Sequence, residues 1–301
     1  MIFTDMMKVI SDKYLQDKRE VKPTACNTQN RVSDSGACLR QRGFNALQME
    51  ECHTIDTSTL LAFEIGTHMH SVIQDACANY FEGEYETPID LSHTGVSLSG
   101  SCDGLINVDD GNPESHLLME LKTMSPYGFK IAKYSGVPKR EHISQASLYA
   151  KGMIDAGKQV DAVYLVYISK GNDSRNQITA GDLLEWVIPL DEQIYEYGMS
   201  PMQLADAELE LFRSVQHDLS NNMLPDAVVF DDEGMDILVE NPSPYGVPHK
   251  GGHWQCRYCR HNELCSLLGP TEVTLTTARF HADNMKERND IPVSEISQAH
   301  T

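Results

Sequence analysis

Two charged residues interrupt an otherwise apolar run. In His116-Leu117-Leu118-Met119-Glu120-Leu121-Lys122-Thr123, strand alternation puts Glu120 and Lys122 on one face and Leu117, Met119 and Leu121 on the other. Burying two charges costs several kcal/mol unless they are paired or bind an ion. Taken singly, the pair reads as a solvent-facing strand edge, Asp103 as a turn acid and His70 as a helix-flank histidine. A second group is chemical by type: Cys256, Cys259 and Cys265 form C-x₂-C-x₅-C. Three sulfur ligands leave a tetrahedral site one short, and Cys38, in Gly36-Ala37-Cys38-Leu39-Arg40, is the best candidate for the fourth. Cys26 and Cys52 compete for that place but lack the Cys-x-Arg context. Cys77 and Cys102 read as small buried hydrophobes.

Four short segments occur in order: Gly66-Thr67-His68-Met69-His70, Gly100-Ser101-Cys102-Asp103-Gly104, Glu120-Leu121-Lys122 and Gln145-Ala146-Ser147-Leu148-Tyr149. In this G-x-x-x-H, G-x-x-D, E-x-K and Q-x-x-x-Y series the sequence resembles the PD-(D/E)XK nuclease superfamily, in its RecB-like, CRISPR-associated iron–sulfur exonuclease branch. The resemblance implies a metal-dependent deoxyribonuclease acting on single strands or DNA ends. Asp103 and Glu120 would hold Mg²⁺ or Mn²⁺, with His70 as a nitrogen ligand and the Leu121 carbonyl as a further one. Lys122 would orient and polarise the attacking water. Gln145 and Tyr149, four apart on one helix face, would support the site or the DNA backbone. His68 is the competing histidine, but His70 fits the register. The resemblance also implies that Cys38, Cys256, Cys259 and Cys265 hold a [4Fe–4S] cluster clipping the two ends of the chain together. A structural Zn²⁺ takes the same ligands, and a group of buried thiols without metal is the plainer alternative. So is a non-catalytic iron–sulfur or zinc-containing subunit that binds DNA ends.

The elements needed to position these residues follow from periodicity. A helix over residues 56–81, opening at an Asp56-Thr57-Ser58 cap, carries His70. Strands over 95–108 and 116–123 carry Asp103 and the Glu-x-Lys pair, and a helix over 141–156 carries Gln145 and Tyr149. Strands follow at 162–168 and 183–190, then a long acidic helix broken near Met199-Ser200-Pro201 and ending near Leu219. The expected fold class is α/β: a restriction-endonuclease-like core, with a mixed central sheet flanked by helices and N- and C-terminal helical segments joined by a metal cluster. Residues 1–55 are expected as a helical segment with one cluster cysteine, 56–190 as the nuclease core, 191–270 as an acidic helical region with the other cysteines, and 271–301 as a polar tail.

The 301 residues, 41% hydrophobic, are enough for a real core and exclude a disordered chain or a small disulfide scaffold. No stretch approaches the roughly 18 apolar residues of a membrane span, so no membrane is expected. The N-terminus lacks the basic start of a signal peptide, and a cytoplasmic setting is expected. A net charge of −20 argues at first against a nucleic-acid partner. The charge is segregated, however. Residues 191–240 contain thirteen acids and one base, whereas residues 120–158 contain seven bases and three acids. A DNA path over the basic part stays open, and the acidic helices would suit a basic protein partner or face away from the nucleic acid. A homo-oligomer is equally compatible.

Overall fold

A computed structural model describes residues 30–49, 57–108, 115–231, 236–240 and 253–289. Cys26, Cys52 and the Asp56 cap lie outside them. The chain divides into two compact units, residues 1–36 with 55–209, and residues 37–54 with 210–301.

The first unit is built on a mixed sheet in the order β1-β3-β4-β5-β6, with β2 on the other edge of β3. Its strands are β1 (Asn30–Arg31), β2 (Gly83–Asp90), β3 (Leu98–Val108), β4 (Ser115–Met124), β5 (Ala162–Ser169) and β6 (Leu183–Pro189). β3 and β4 run antiparallel, β4 and β5 parallel, and β5 and β6 antiparallel. The parallel step needs a long crossover, supplied by two of the helices. Three helices flank the sheet, α2 (Thr57–Tyr80), α3 (Pro126–Ser135) and α4 (Arg140–Asp155), and α5 (Pro201–Ser220) follows β6 in the chain. The first helix, α1 (Leu39–Ala46), belongs to the second unit.

The alternation expected for β4 is present. Met119 and Leu121 are buried in a cluster with Ile106, Val166 and Ile168, against which Met69, Ile73 and Cys77 of α2 pack. Glu120 meets α4 instead. That helix is buried on nearly every side because Ser144, Ala146, Ser147, Ala150 and Gly152 leave room for close neighbours. Its entry is pinned by Tyr167, whose hydroxyl accepts from the Lys139 N–H (2.9 Å) and bonds His142 Nδ1 (2.6 Å).

Two of the longer elements of the first unit escaped the sequence reading. Strand β2 carries three acids and Pro88 and, among the described residues, pairs only with β3, so its exposed edge has little apolar signal. Helix α3 begins at Pro126 behind the Ser125 cap, which accepts from the Gly128 N–H, and it ends at Gly136 with φ of 75°. Residues 199–201 do not break the acidic helix but start it. Ser200 and Gln203 exchange backbone–side-chain hydrogen bonds in a capping box ahead of α5.

The second unit holds α1, the end of α5, β7 (Met223–Leu224), β8 (Val228–Phe230), β9 (Asp236–Leu238), α6 (Asn262–Leu268), β10 (Val273–Thr274) and α7 (Leu275–Asn289). β7 pairs with β10 and β8 with β9, both antiparallel. Phe44, Leu224, Val229 and Leu264 form its core with Val273, Leu275 and Ala278. The polar tail expected from residue 271 is corrected to that extent. Residues 273–278 place three apolar side chains in the core.

Candidate functional site

Asp103 sits where β3 loses its neighbours on both sides. The β3–β4 register stops at Gly104↔Met119, and β1 pairs with β3 farther along, at Leu98 and Ser99. The β2–β3 register passes from Tyr85↔Gly104 to Thr87↔Cys102, and the Glu86/Asp103 pair drops out with Glu86 at φ of 48°. That backbone costs a residue with a Cβ about 1 kcal/mol or more. The Leu121 N–H, freed from the ladder to β3, donates instead to Asp103 Oδ2 (2.7 Å). Asp103 and Glu120 are thereby brought to a fork between adjacent strands.

The other motif residues gather there. Glu120 is 3% exposed; its Oε1 accepts from Lys122 Nζ (2.7 Å) and Gln145 Nε2 (2.9 Å). Lys122 Nζ also donates to Gln145 Oε1 (2.8 Å), closing a ring of three side chains, and Gln145 Nε2 reaches the Tyr149 hydroxyl (3.3 Å). His70 Nδ1 stands 3.5 Å from Asp103 Oδ1. His68 points elsewhere, lining an apolar groove of about 880 Å³ with Ile65, Met69 and Val72. The motif glycines are steric: a Cβ on Gly66 would lie 2.8 Å from Thr123 Oγ1, and one on Gly100 would lie 2.7 Å from the Tyr149 ring.

Electrostatically, burial pushes the Glu120 carboxyl up to about 7, against the lowering pull of Lys122, while Asp103 adds to the rise. Burial likewise pushes the Tyr149 phenol far up, so it serves as a neutral hydrogen-bonding group. Glu120 Oε2 is buried and has no hydrogen-bond partner among the described residues. Such an atom costs on the order of 1–3 kcal/mol or more unless something meets it. Among the described residues no three His, Cys, Asp or Glu side chains are gathered tightly enough to hold a metal ion as they stand. The donor types at the fork still fit a hard divalent cation: two carboxylates, one with an unsatisfied buried oxygen, and a flanking imidazole.

Two participants went unseen in the sequence. Gln74 is buried, and its Nε2 donates to both Asp103 Oδ1 (3.1 Å) and Glu86 Oε1 (2.6 Å). Its position one turn after His70 is the signal that could have found it. Glu86, which also accepts from Ser101 Oγ (3.3 Å), is announced by nothing in an edge strand rich in acids.

Within the second unit, Cys38, Cys256, Cys259 and Cys265 line one small cavity with Phe44, Ala227 and Val239. Cys38 stands at the start of α1, Cys256 and Cys259 in and after a 3₁₀ turn at Trp254–Tyr258, and Cys265 in α6. Burial raises all four thiols, Cys256 to about 11 and Cys259 and Cys265 to about 12, and the neighbouring sulfurs add to the rise in the last three. Arg40 is fully buried and donates to the carbonyls of Pro225 (2.8 Å), Gly269 and Pro270 (2.7 Å), with Nη1 3.8 Å from Cys265 Sγ. Its charge is a fixed cation beside the sulfurs. Four sulfur donors around one cavity suit a thiophilic metal group.

No family model matches the chain, and no curated protein does. Among solved structures it is similar to the protein SSO0001, at 17% identity and a TM-score of 0.40, covering 73% of this chain and 91% of that one. It is also similar to an alkaline exonuclease from Laribacter hongkongensis, at 15% identity and a TM-score of 0.38, covering 64% of this chain and 92% of that one.

Proposed function

We propose that the first unit is a metal-dependent deoxyribonuclease of the PD-(D/E)XK type, hydrolysing single strands or DNA ends as an exonuclease. The observation that carries the reading is the fork. Asp103 and Glu120 meet there beside His70, a buried carboxylate oxygen is left without a partner, and an ammonium is held 2.7 Å from the same carboxylate. A purely structural ion pair would be expected to satisfy both oxygens. When bound, Mg²⁺ or Mn²⁺ supplies charge neutralisation at the phosphate and lowers the pKa of water. Asp103, Glu120 and His70, with the Leu121 carbonyl, are the residues that would hold it.

The chain's own groups do the rest. The Leu121 N–H and Gln74 fix the Asp103 carboxylate in one orientation. Gln145 holds Glu120 and Lys122 together through its two ends, and Tyr149 backs Gln145 from the next helical turn. Lys122 presents its ammonium to the attacking water and to the charge that develops on the phosphate. In the second unit, the four cysteines are assigned to a [4Fe–4S] cluster acting as a staple, supported by their convergence on one cavity beside Arg40. Iron and sulfide content, with the visible absorption of anaerobically purified protein, separates the cluster from zinc.

Labelled linear single- and double-stranded DNA, incubated with Mg²⁺ or Mn²⁺ and with chelator, tests the activity. Cleavage should require the cation and disappear in Lys122→Ala and Asp103→Ala chains that keep their circular dichroism spectra. Cleavage that survives both substitutions sinks the assignment.

A further inference from the structure

Helix α3 follows the Glu-x-Lys strand directly, with its Ser125 cap three residues beyond Lys122. Its inner face buries Phe129 and Ala132. Its outer face carries Tyr127, Ile131 and Tyr134, which are 71%, 46% and 69% exposed. These lie four and three residues apart, so they form one stripe, and the two rings stand about 10 Å apart along the axis. Lys130 and Lys133 flank the stripe. Residues 121–140 contain five bases and no acid, in a chain of net charge −20.

At its start, α3 faces the β5–β6 loop across an open recess lined by Ser125, Tyr127, Lys130, Asn172, Asp173 and Arg175, among others. Neither Lys130 nor Arg175 makes a salt bridge within 4.0 Å among the described residues, although the Asp173 carboxyl, lowered first by its hydrogen bond from Asn176, is lowered further by the Lys130 charge. The acid in the recess, Asp173, is turned into its own loop, where its carboxylate accepts from the Arg175 N–H (3.1 Å) and Asn176 Nδ2 (2.6 Å). Exposed phenol rings interleaved with cations are a poor surface to leave in water. They are the two components that grip an unpaired strand: rings for the base faces and ammonium groups for the phosphates.

We propose that the outer face of α3, with the recess at its N-terminal end, is the platform that leads a single nucleic-acid strand to the Asp103–Glu120 fork. This rests on the nuclease reading and adds the form of its substrate. Stacking on Tyr127 and Tyr134 requires bases whose faces are open, which duplex neighbours would cover. A duplex could use only the cations. The strand's phosphates pass Lys130, Lys133 and Arg175, and the neighbouring strand β4 carries the reacting groups.

The test uses the full chain carrying Lys122→Ala, so that the probe stays intact, with fluorescence anisotropy of a labelled oligothymidylate and of a hairpin duplex. Adding Tyr127→Ala/Tyr134→Ala should weaken oligothymidylate binding by at least about tenfold, the scale of lost base–aromatic stacking, and leave duplex binding within about twofold. Tyr127→Phe/Tyr134→Phe should restore the single-strand affinity. Lys130→Gln/Lys133→Gln should instead weaken both probes and flatten the salt dependence. Unchanged oligothymidylate binding in the alanine pair overturns the platform. So does an alanine pair that only converts an oligomer to a monomer, since the stripe would then be a protein contact. If the chain with Lys122 intact cleaves DNA while the tyrosine variants bind normally, the platform alone falls. If that chain neither binds nor cleaves either probe, the nuclease reading falls with it.

Discussion

The carboxylate–lysine fork of the first unit and the cysteine cavity of the second, the two places proposed for metals, are held in opposite ways. At the fork nearly every polar atom is spoken for by a neighbour: Leu121, Gln74, Lys122 and Gln145 each fix a carboxylate oxygen, leaving Glu120 Oε2 over. In the cavity the four cysteines line largely apolar surface, and burial keeps their thiols protonated. The fork is organised by the fold before any cation arrives. The cavity is framed by apolar core residues and Arg40, but its sulfurs must lose protons to become ligands, so a bound metal group would add folding energy there. Metal removal should therefore silence the first unit without unfolding it and unfold the second.

The largest effect belongs to the cavity. Cys259→Ser takes away one sulfur from a group whose binding energy, by analogy with structural zinc sites, is on the order of 10 kcal/mol and is folding energy. Hydrogen exchange should speed up across residues 37–49 and 253–289 while residues 98–108 and 115–124 stay protected. Loss of protection everywhere would mean that the two units fold as one cooperative body, and the contrast between them would collapse. Next comes Lys122→Ala, expected to reduce cation-dependent cleavage by roughly 10²–10⁴-fold with little change in Tm, since the residue acts on charge in the transition state. A comparable loss of Tm would make Lys122 a structural partner of Glu120 instead.

A third prediction turns on the sign of the Glu120 shift. Burial pushes its carboxyl up to about 7 in the folded chain, above the ordinary carboxylate range, so between that range and about pH 7 the folded chain keeps a proton that the unfolded chain has released. Stability from this group is greatest below about pH 4.5 and falls as pH rises through about 7, by about 3 kcal/mol. His142 works the other way, since burial holds it neutral and it costs stability as pH falls below its ordinary range. The difference between parent and Glu120→Gln isolates the first effect. In urea unfolding without divalent cation, the advantage of the variant should widen from pH 4.5 to 7. A constant difference across that window would remove burial as the cause. Added Mn²⁺ should shrink the advantage, because a cation at the fork stabilises the ionised form.

Much of the fork was legible because its residues break local rules. Glu120 and Lys122 interrupt an apolar strand, and Gly66 and Gly100 stand where a helix and a tyrosine ring approach the sheet too closely for a Cβ. Lys122, Gln145 and Tyr149 were readable as members of an ordered series, and the structure joins Lys122 and Gln145 through Glu120, with Tyr149 attached through Gln145. What sequence could not show is the lapse of pairing around Asp103. It depends on a register shared by three strands and on the left-handed Glu86, neither of which leaves a periodic trace. Edge strand β2 was lost for the same reason, since it faces too little core to alternate strongly. The division into units was hidden by topology. Residues 37–49 pack with residues 210 onwards, a pairing that no local pattern encodes.

Gln74 offers the smallest and most discriminating change. Its amide nitrogen lies between Asp103 and Glu86 and donates to both, so it holds two carboxylates that would otherwise repel each other. Gln74→Ala leaves the ligand-type residues in place but frees Asp103 to turn, with Leu121 N–H as its remaining backbone tether. Supporting groups of this kind typically change metal affinity by about tenfold or more. Mn²⁺ binding, followed by electron paramagnetic resonance of the free cation without DNA, should weaken by about tenfold, while Tm falls only slightly. Cleavage at saturating Mn²⁺ should recover most of the parent rate, because what is lost is the orientation of a ligand and not a reacting group. If saturating cation restores nothing, Gln74 or Glu86 contacts the substrate directly, and the fork is larger than its four motifs. In the cysteine cavity the counterpart is Arg40, which donates to Cys265 Sγ but also to the carbonyls of Pro225, Gly269 and Pro270, so its removal strips backbone contacts along with the sulfur contact and discriminates less.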